Sequence, residues 1–231
     1  METYLKELRA WLDSQKDVPL EEMTDFFTQR LDGYDEHMLA HGRDHYRTLA
    51  QHVPEDVQTL LDLGCGTGLE LEPLWQRLPD VHVTGVDLTR SMLDALERRY
   101  AGRPLRTVCG DYFALELGDA AYDGVLTFES LHHFPAERKL PLYRKIHRAL
   151  KPGGRFVYGD YFARCPEEQE LLAEECARRR CAEGIPADVF VHFDTPLTVE
   201  VEKKLLEQAG FALLEDIRLD GSTHILLLEA Q

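Results

Sequence analysis

Three glycines at alternate positions, Gly64, Gly66 and Gly68, sit in the stretch Leu61-Asp62-Leu63-Gly64-Cys65-Gly66-Thr67-Gly68. Glycine lets a backbone approach a ligand where a Cβ would collide. Helix-start amides after such a turn face the same ligand. The spacing is G-x-G-x-G, not the G-x-G-x-x-G that seats a pyrophosphate on a helix N-terminus. A ligand other than a dinucleotide is therefore expected. Asp87 follows Gly68 by 19 positions, where a strand-end carboxylate accepts two hydrogen bonds from ribose hydroxyls. Gly110-Asp111-Tyr112 offers a carboxylate to an exocyclic amine and a ring to a purine, although Gly-Asp is also good turn chemistry. Phe128-Glu129-Ser130-Leu131-His132-His133-Phe134 brings two histidines to a strand end. Neighbouring residues point in different directions, so at most one of the pair is expected to face a ligand.

Each of these clusters follows an apolar run. Strand-like runs occur at Thr59–Leu63, Val81–Val86, Leu105–Cys109, Gly124–Thr127 and Arg155–Tyr161. Helix-like runs lie between them at Leu69–Leu78, Ser91–Tyr100 and Ala136–Leu150. Such alternation implies a parallel sheet covered by helices on both faces, with ligands beyond the carboxyl ends of the strands. Lys151-Pro152-Gly153-Gly154 reads as a turn without chemistry.

Ahead of this core, residues 1–56 read as a helical cap. Its first segment carries Leu5, Leu8, Trp11 and Leu12 on one face, and its second carries Leu20, Met23, Phe26, Phe27 and Leu31. Residues 57–231 form the core, one structural domain with the cap. Within it, 165–195 is an insert with a charged helix and an extended stretch, Val189–Phe193. Thr198 reads as an N-cap, Gly210 as a helix end, and Asp220-Gly221 as the turn of a terminal hairpin.

Lys and Arg total 26 against 42 Asp and Glu, a formal net charge of −16. Such a surface argues against nucleic acid and anionic membranes as partners. The 5 cysteines, with no C-x-x-C pair, read as free thiols of a reducing compartment. No apolar run approaches membrane-spanning length and no basic-then-apolar leader opens the chain, so a cytoplasmic location is expected.

Taken in order, Leu61–Gly68, Asp87, Gly110–Tyr112, Tyr122-Asp123 with the strand after it, and Leu150–Gly154 resemble the motif set of class I S-adenosylmethionine-dependent methyltransferases. The likeness is to the small-molecule branch with an N-terminal helical cap, in which a Tyr-Asp pair like Tyr34-Asp35 precedes the core. It implies a Rossmann-like α/β fold: seven mostly parallel strands, helices on both faces and a C-terminal antiparallel hairpin. It also implies S-adenosylmethionine as cofactor. Gly64, Gly66 and Gly68 would approach its methionine and ribose portions, and Asp62 its amino group. Asp87 would bind the ribose, Leu88 would lie against the adenine with Met92 counted nearby, and Asp111 would meet the adenine amine beside Tyr112. Gly110 belongs to the same cluster, and the backbone near Phe128 would contact the methionine end. Cys65 fills a variable slot as a small buried residue.

The acceptor site implied by the resemblance lies under the cap and the insert. His133 is the first candidate for base or orienter, with Tyr34 and His37 as further catalytic candidates and His132, Tyr161 and His192 as substrate contacts. A histidine bonded to backbone would look the same in sequence. His41, Asp44 and His45 share a helix face, but no ligand set is visible and no metal is expected. The expected partner is a small-molecule methyl acceptor, with the chain a monomer or homodimer. A methyltransferase of tRNA bases and a protein that binds the cofactor without turnover are the alternatives.

Overall fold

A computed structural model describes residues 1–231. Three helices open the chain: α1 (Glu2–Gln15), α2 (Met23–Arg30) and α3 (Tyr34–Gln51). The core then runs β1 (Thr59–Leu63), α4 (Leu71–Arg77), β2 (His82–Asp87), α5 (Arg90–Arg99), β3 (Leu105–Cys109) and β4 (Tyr122–Phe128). A single 3-10 turn, Leu131–His133, leads into α6 (Ala136–Ala149), β5 (Leu150–Tyr161), α7 (Pro166–Glu183), α8 (Val199–Gln208), β6 (Phe211–Arg218) and β7 (Thr223–Ala230).

The seven strands form one sheet in the order β3-β2-β1-β4-β5-β7-β6. The first five are parallel, and β7 runs antiparallel to both β5 and β6. Successive strand residues face opposite sides. Leu61, Val125, Phe156 and Leu226 enter one core with α6 and α8. Leu60, Leu126, Val157 and Ile225 enter the other with α3, α4 and α5. Strands buried on both faces read as continuous apolar runs, which is why Thr59–Leu63 lacks polar alternation.

Register aligns the strand ends. Leu63 pairs with Val86 and with Thr127, and Asp87 pairs with Cys109. Gly64, Asp87, Gly110 and Glu129 therefore emerge along one edge, on either side of the β1/β4 switch point where strand order reverses.

Several details depart from the sequence expectations. Trp11 is 53% exposed while Leu12 is buried, because adjacent helix positions lie about 100° apart. The end of α3 is not a detached cap: Tyr46, Leu49, Ala50 and Val53 are buried in the core around Leu60 and Leu126. Lys151–Gly154 belongs to β5, but its register slips between the Tyr122–Leu150 and Gly124–Arg155 pairs, so the expected turn is a bulge inside a longer strand. Thr198 does cap α8, its hydroxyl accepting from the Val201 amide at 3.4 Å. No helix is long and apolar enough to cross a membrane.

Cap and insert are stitched together over the sheet edge. Met23 N donates to Phe190 O and His192 N to Glu21 O, both at 2.9 Å. Tyr4 Oη donates to the buried Glu168 of α7 at 2.8 Å. Below, Lys139 pairs with Glu202, which also accepts from Tyr143 Oη at 2.6 Å and Tyr158 Oη at 3.2 Å. All four side chains are fully buried, and they tie α6, α8 and β5 together. Glu202→Ala leaves the Lys139 ammonium buried without a counter-charge, at a cost of about 3 kcal/mol. A denaturant titration should show that loss as a lower midpoint.

Candidate active site

The glycine turn is built by three different demands. Gly64 (φ +72°) and Gly68 (φ +71°) are left-handed, and a Cβ on either would strike Ser130 Oγ at 2.1 Å or Leu96 Cδ1 at 2.3 Å. Gly66 is also left-handed (φ +49°), but its Cβ would meet nothing within 4 Å. It would project into the open cavity that all three glycines line. Gly66→Ala should therefore weaken a ligand of that cavity about tenfold, while the left-handed backbone costs only about 1–2 kcal/mol of stability. Calorimetry with the cofactor, beside a thermal melt, separates the two effects.

Asp87 holds the turn from below. Its Oδ2 accepts from Gly66 N at 2.9 Å and its Oδ1 from Thr89 N at 2.7 Å. Burial raises its carboxyl, and those two amides oppose the rise. Each oxygen retains a second lone pair for a ligand hydroxyl. Asp111 Oδ1 accepts from Phe113 N at 2.7 Å, so the expected turn and the expected cavity residue are the same feature. Tyr112 is buried with its hydroxyl 3.1 Å from Ser130 Oγ. Leu88, Met92, Gly110, Cys65 and Phe128 also line this cavity. Burial pushes the Cys65 thiol well above its usual range, so it stays protonated.

Asp62 does not line the cavity; it lies beneath the turn, 1% exposed, against Glu70. Burial raises both carboxyls, and Glu70's charge adds to the shift on Asp62. Asp62 and Glu70 face each other, a contact that raises the one carboxyl and lowers the other, and Asp62 Oδ2 and Glu70 Oε1 receive no hydrogen bond from any other group of the chain. Orphaned buried acceptors are costly, and Glu70 lines the cavity. An ammonium group entering there would satisfy Glu70. Glu70 escaped the sequence reading, although it stands two residues after Gly68.

A second, outer cavity of about 690 Å³ opens beside the first. His37, His132 and His192 line it, as do Phe26, Arg30 and Asp194. Phe27, Tyr34, Glu129 and His133 line both cavities. The two adjacent histidines converge instead of diverging: their ring centroids are 4.0 Å apart and both approach Asp194. The tight 3-10 turn at Leu131–His133 causes this. His132 Nδ1 meets Asp160 Oδ1 at 2.6 Å. Burial opposes a charge on His132, yet Asp160 and Asp194 push it up to about 10. Burial and the neighbouring His132 cation hold His133 below its usual range. His192 stacks on Phe26 at 3.4 Å, and burial lowers it to about 4.

Tyr161 is the candidate that does not join the others. Its hydroxyl is bonded to Glu168, beside Tyr4 at the α1–α7 contact, and it lines neither cavity. Strand alternation explains this: Tyr161 follows Asp160, whose carboxylate takes the histidine side. Glu129 lines both cavities and, like Glu70, was not singled out from sequence. It is left-handed at φ +48°, rare for a residue with a side chain, and such strain concentrates at functional sites. Above the turn, Asp35 of α3 accepts from Thr67 Oγ1 at 2.5 Å and pairs with Arg99, clasping the cap to the glycine turn.

Comparison with known proteins follows the same residues. A family model described as "Methyltransferase domain" matches residues 60–154. An O-methyltransferase of Aspergillus nomiae, rstn1, is 32% identical over 169 residues, which cover 70% of this chain and 68% of that protein. The biotin biosynthesis bifunctional protein BioHC of Teredinibacter turnerae is 32% identical over 166 residues, 68% of this chain but 27% of that protein. The chain spans about a quarter to a half of the length of the first curated relatives it matches (27%, 47% and 54%). Among solved structures, the Burkholderia thailandensis 1,6-didemethyltoxoflavin-N1-methyltransferase superposes with a TM-score of 0.65 at 20% identity, covering 90% of this chain and 86% of that one. That likeness is one of fold; the identity to rstn1 extends it to descent, and the chain belongs to the class I S-adenosylmethionine-dependent methyltransferases.

Proposed function

We propose that the chain transfers a methyl group from S-adenosylmethionine to a small-molecule acceptor by in-line displacement. The shared wall carries this reading. Phe27, Tyr34, Glu129 and His133 border both cavities, so a cofactor in the inner one and an acceptor in the outer one would meet across them. The outer volume of about 690 Å³ falls among small-molecule sites, which span roughly 300–1,000 Å³. The relative rstn1 is described as an O-methyltransferase, which supports an oxygen acceptor.

When bound, S-adenosylmethionine supplies a methyl carbon already activated by its sulfonium. Glu70 would take its ammonium with Asp62 behind it, Gly64, Gly66 and Gly68 its methionine and ribose portions, and Asp87 its ribose hydroxyls. Asp111 would take the adenine amine, with Leu88, Met92 and Tyr112 around the base. A cation suits this acidic cavity without a phosphate clamp. The remaining work is to hold the acceptor in line, exclude water and accept a proton. Phe27 and Tyr34 would close the wall against water. Glu129 is our choice for proton acceptor, with neutral His133 orienting the acceptor oxygen.

Burial raises Glu129 to about 7; Asp160, Asp220 and Asp194 add to the rise and His132 opposes it. A carboxylate takes a proton only when ionised. The rate, kcat/KM for the acceptor, should therefore climb as pH rises through about 7 and level off above it. Cofactor bound beforehand carries positive charge, so under saturation the limb should move to lower pH. A flat profile from pH 5 to 9 removes Glu129 from this role.

A labelled-methyl assay tests the whole reading. Cell extract is separated into small-molecule, RNA and protein fractions, and each is offered with labelled cofactor. Label should enter the small-molecule fraction. Label confined to RNA or protein would overturn the acceptor class.

A further inference from the structure

We propose that His132, His133 and Asp194 form a binding site for a divalent transition-metal ion at the inner end of the outer cavity. The metal site stands on its own residues; the use suggested for it rests on the acceptor reading above.

The ligand atoms are already gathered. His132 Nε2, His133 Nδ1 and a carboxylate oxygen of Asp194 lie within 4.8 Å of one another. Asp194 Oδ1 is 3.4 Å from His132 Nε2 and 3.3 Å from His133 Nδ1. Those contacts are long for charge-assisted hydrogen bonds, which run about 2.7–2.9 Å. The two Asp194 edges match a coordination polyhedron, in which ligands about 2.1 Å from a tetrahedral ion stand roughly 3.4 Å apart; the edge between the two imidazole nitrogens is bounded at 4.8 Å, and binding would draw the rings together. A carboxylate equidistant from two imidazole nitrogens is a poor hydrogen-bond partner to each and a good neighbour to both around an ion. The other polar contact on His133 Nδ1 is a 3.4 Å approach to the Phe193 carbonyl.

A second layer fixes the first. His132 Nδ1 meets Asp160 Oδ1 at 2.6 Å, which turns Nε2 toward Asp194. Asp160 is fully buried and accepts from Leu131 N and Tyr161 N at 2.9 Å each. Metal-binding histidines are held by this kind of carboxylate behind the ring. Thr195 N donates to the His132 carbonyl at 2.9 Å, which fastens the segment bearing Asp194 over the histidine turn. The Asp194 side chain is 49% exposed, so an ion there would keep open positions toward the cavity.

Two imidazole nitrogens with one carboxylate suit Zn²⁺, Fe²⁺, Co²⁺ or Mn²⁺, whereas Mg²⁺ and Ca²⁺ favour all-oxygen sets; an ion on His132 Nε2 replaces the proton that this nitrogen carries in the ion-free protein and releases it to solvent. Open positions facing the acceptor cavity would take a chelating molecule with two neighbouring oxygens. Oxygen bound to such an ion loses its proton more readily.

The test uses the purified full chain, stripped with chelator and free of cofactor. Zn²⁺ is titrated by calorimetry and Co²⁺ by its visible absorption. One equivalent should bind, with a Co²⁺ spectrum of low-symmetry nitrogen–oxygen coordination. Asp194→Asn, a half-exposed isosteric change, should weaken Zn²⁺ at least tenfold. Asp160→Asn, which touches no ion, should weaken it about 10–100-fold. His45→Ala, on α3 beside Asp220 and outside the cluster, should leave it unchanged. Cofactor affinity of Asp194→Asn should stay within twofold of the parent, which certifies the fold. No stoichiometric binding in the parent, or binding indifferent to Asp194→Asn, overturns the site. Failure of methyl transfer with the ion bound would sink the acceptor reading and leave the ion's site standing.

Discussion

Asp87→Ala lowers cofactor affinity by about 10²–10⁴-fold. Hydrogen bonds to a charged group contribute about 1.5–3 kcal/mol each, and the ribose would lose two. The side chain has a second role that sharpens the prediction. Both of its oxygens already hold amides, Gly66 N and Thr89 N, so its removal also frees the turn that the cofactor needs preformed. Asp87→Asn separates the two roles. An amide retains one oxygen for Gly66 or Thr89 but turns a donor toward the other, and should lie between parent and alanine. Titration calorimetry with S-adenosylmethionine reads all three proteins, and unchanged binding in Asp87→Ala refutes the ribose assignment.

Glu129→Gln slows turnover by about 10²–10⁴-fold, the usual worth of a positioned proton acceptor. Glutamine keeps the shape and the left-handed backbone but cannot accept a proton. Cofactor affinity should move little, because Glu129 faces the outer cavity as well as the inner one. The kcat effect should vanish for acceptors that are ionised before they bind, a result that a structural defect would not give. His133→Ala, by contrast, should raise KM along with lowering kcat, since it orients the acceptor. Full activity in Glu129→Gln on a protonated acceptor would exclude it as the base.

Most of the inner cavity's lining is legible in sequence because its parts are contiguous, the exceptions being Glu70, which lines it, and Asp62, which lies beneath the turn instead. Gly64–Gly68, Asp87 and Gly110–Tyr112 each sit at a strand end, and parallel register lines those ends up without further information. The acceptor half is not, because its parts meet only in space. Asp160 reaches His132 from the neighbouring strand β5, and Asp194 comes from the segment between α7 and α8. Strand alternation could have warned that Tyr161 and Asp160 face apart. Nothing in the local composition marks Glu129 as left-handed; that follows from how β4 hands over to the 3-10 turn beside Gly159, to whose carbonyl Glu129 N donates at 3.0 Å.

The clasp between Asp35, Thr67 and Arg99 joins the cap to the very loop that would grip the nucleoside. A nucleoside that enters past the clasp must undo it, and an acceptor leaning on Phe27 and Tyr34 would hold it shut. Turnover should thus follow a compulsory sequence, nucleoside first in and spent thioether last out. Excess acceptor should trap the thioether in a dead-end complex, so that velocity falls at high acceptor concentration.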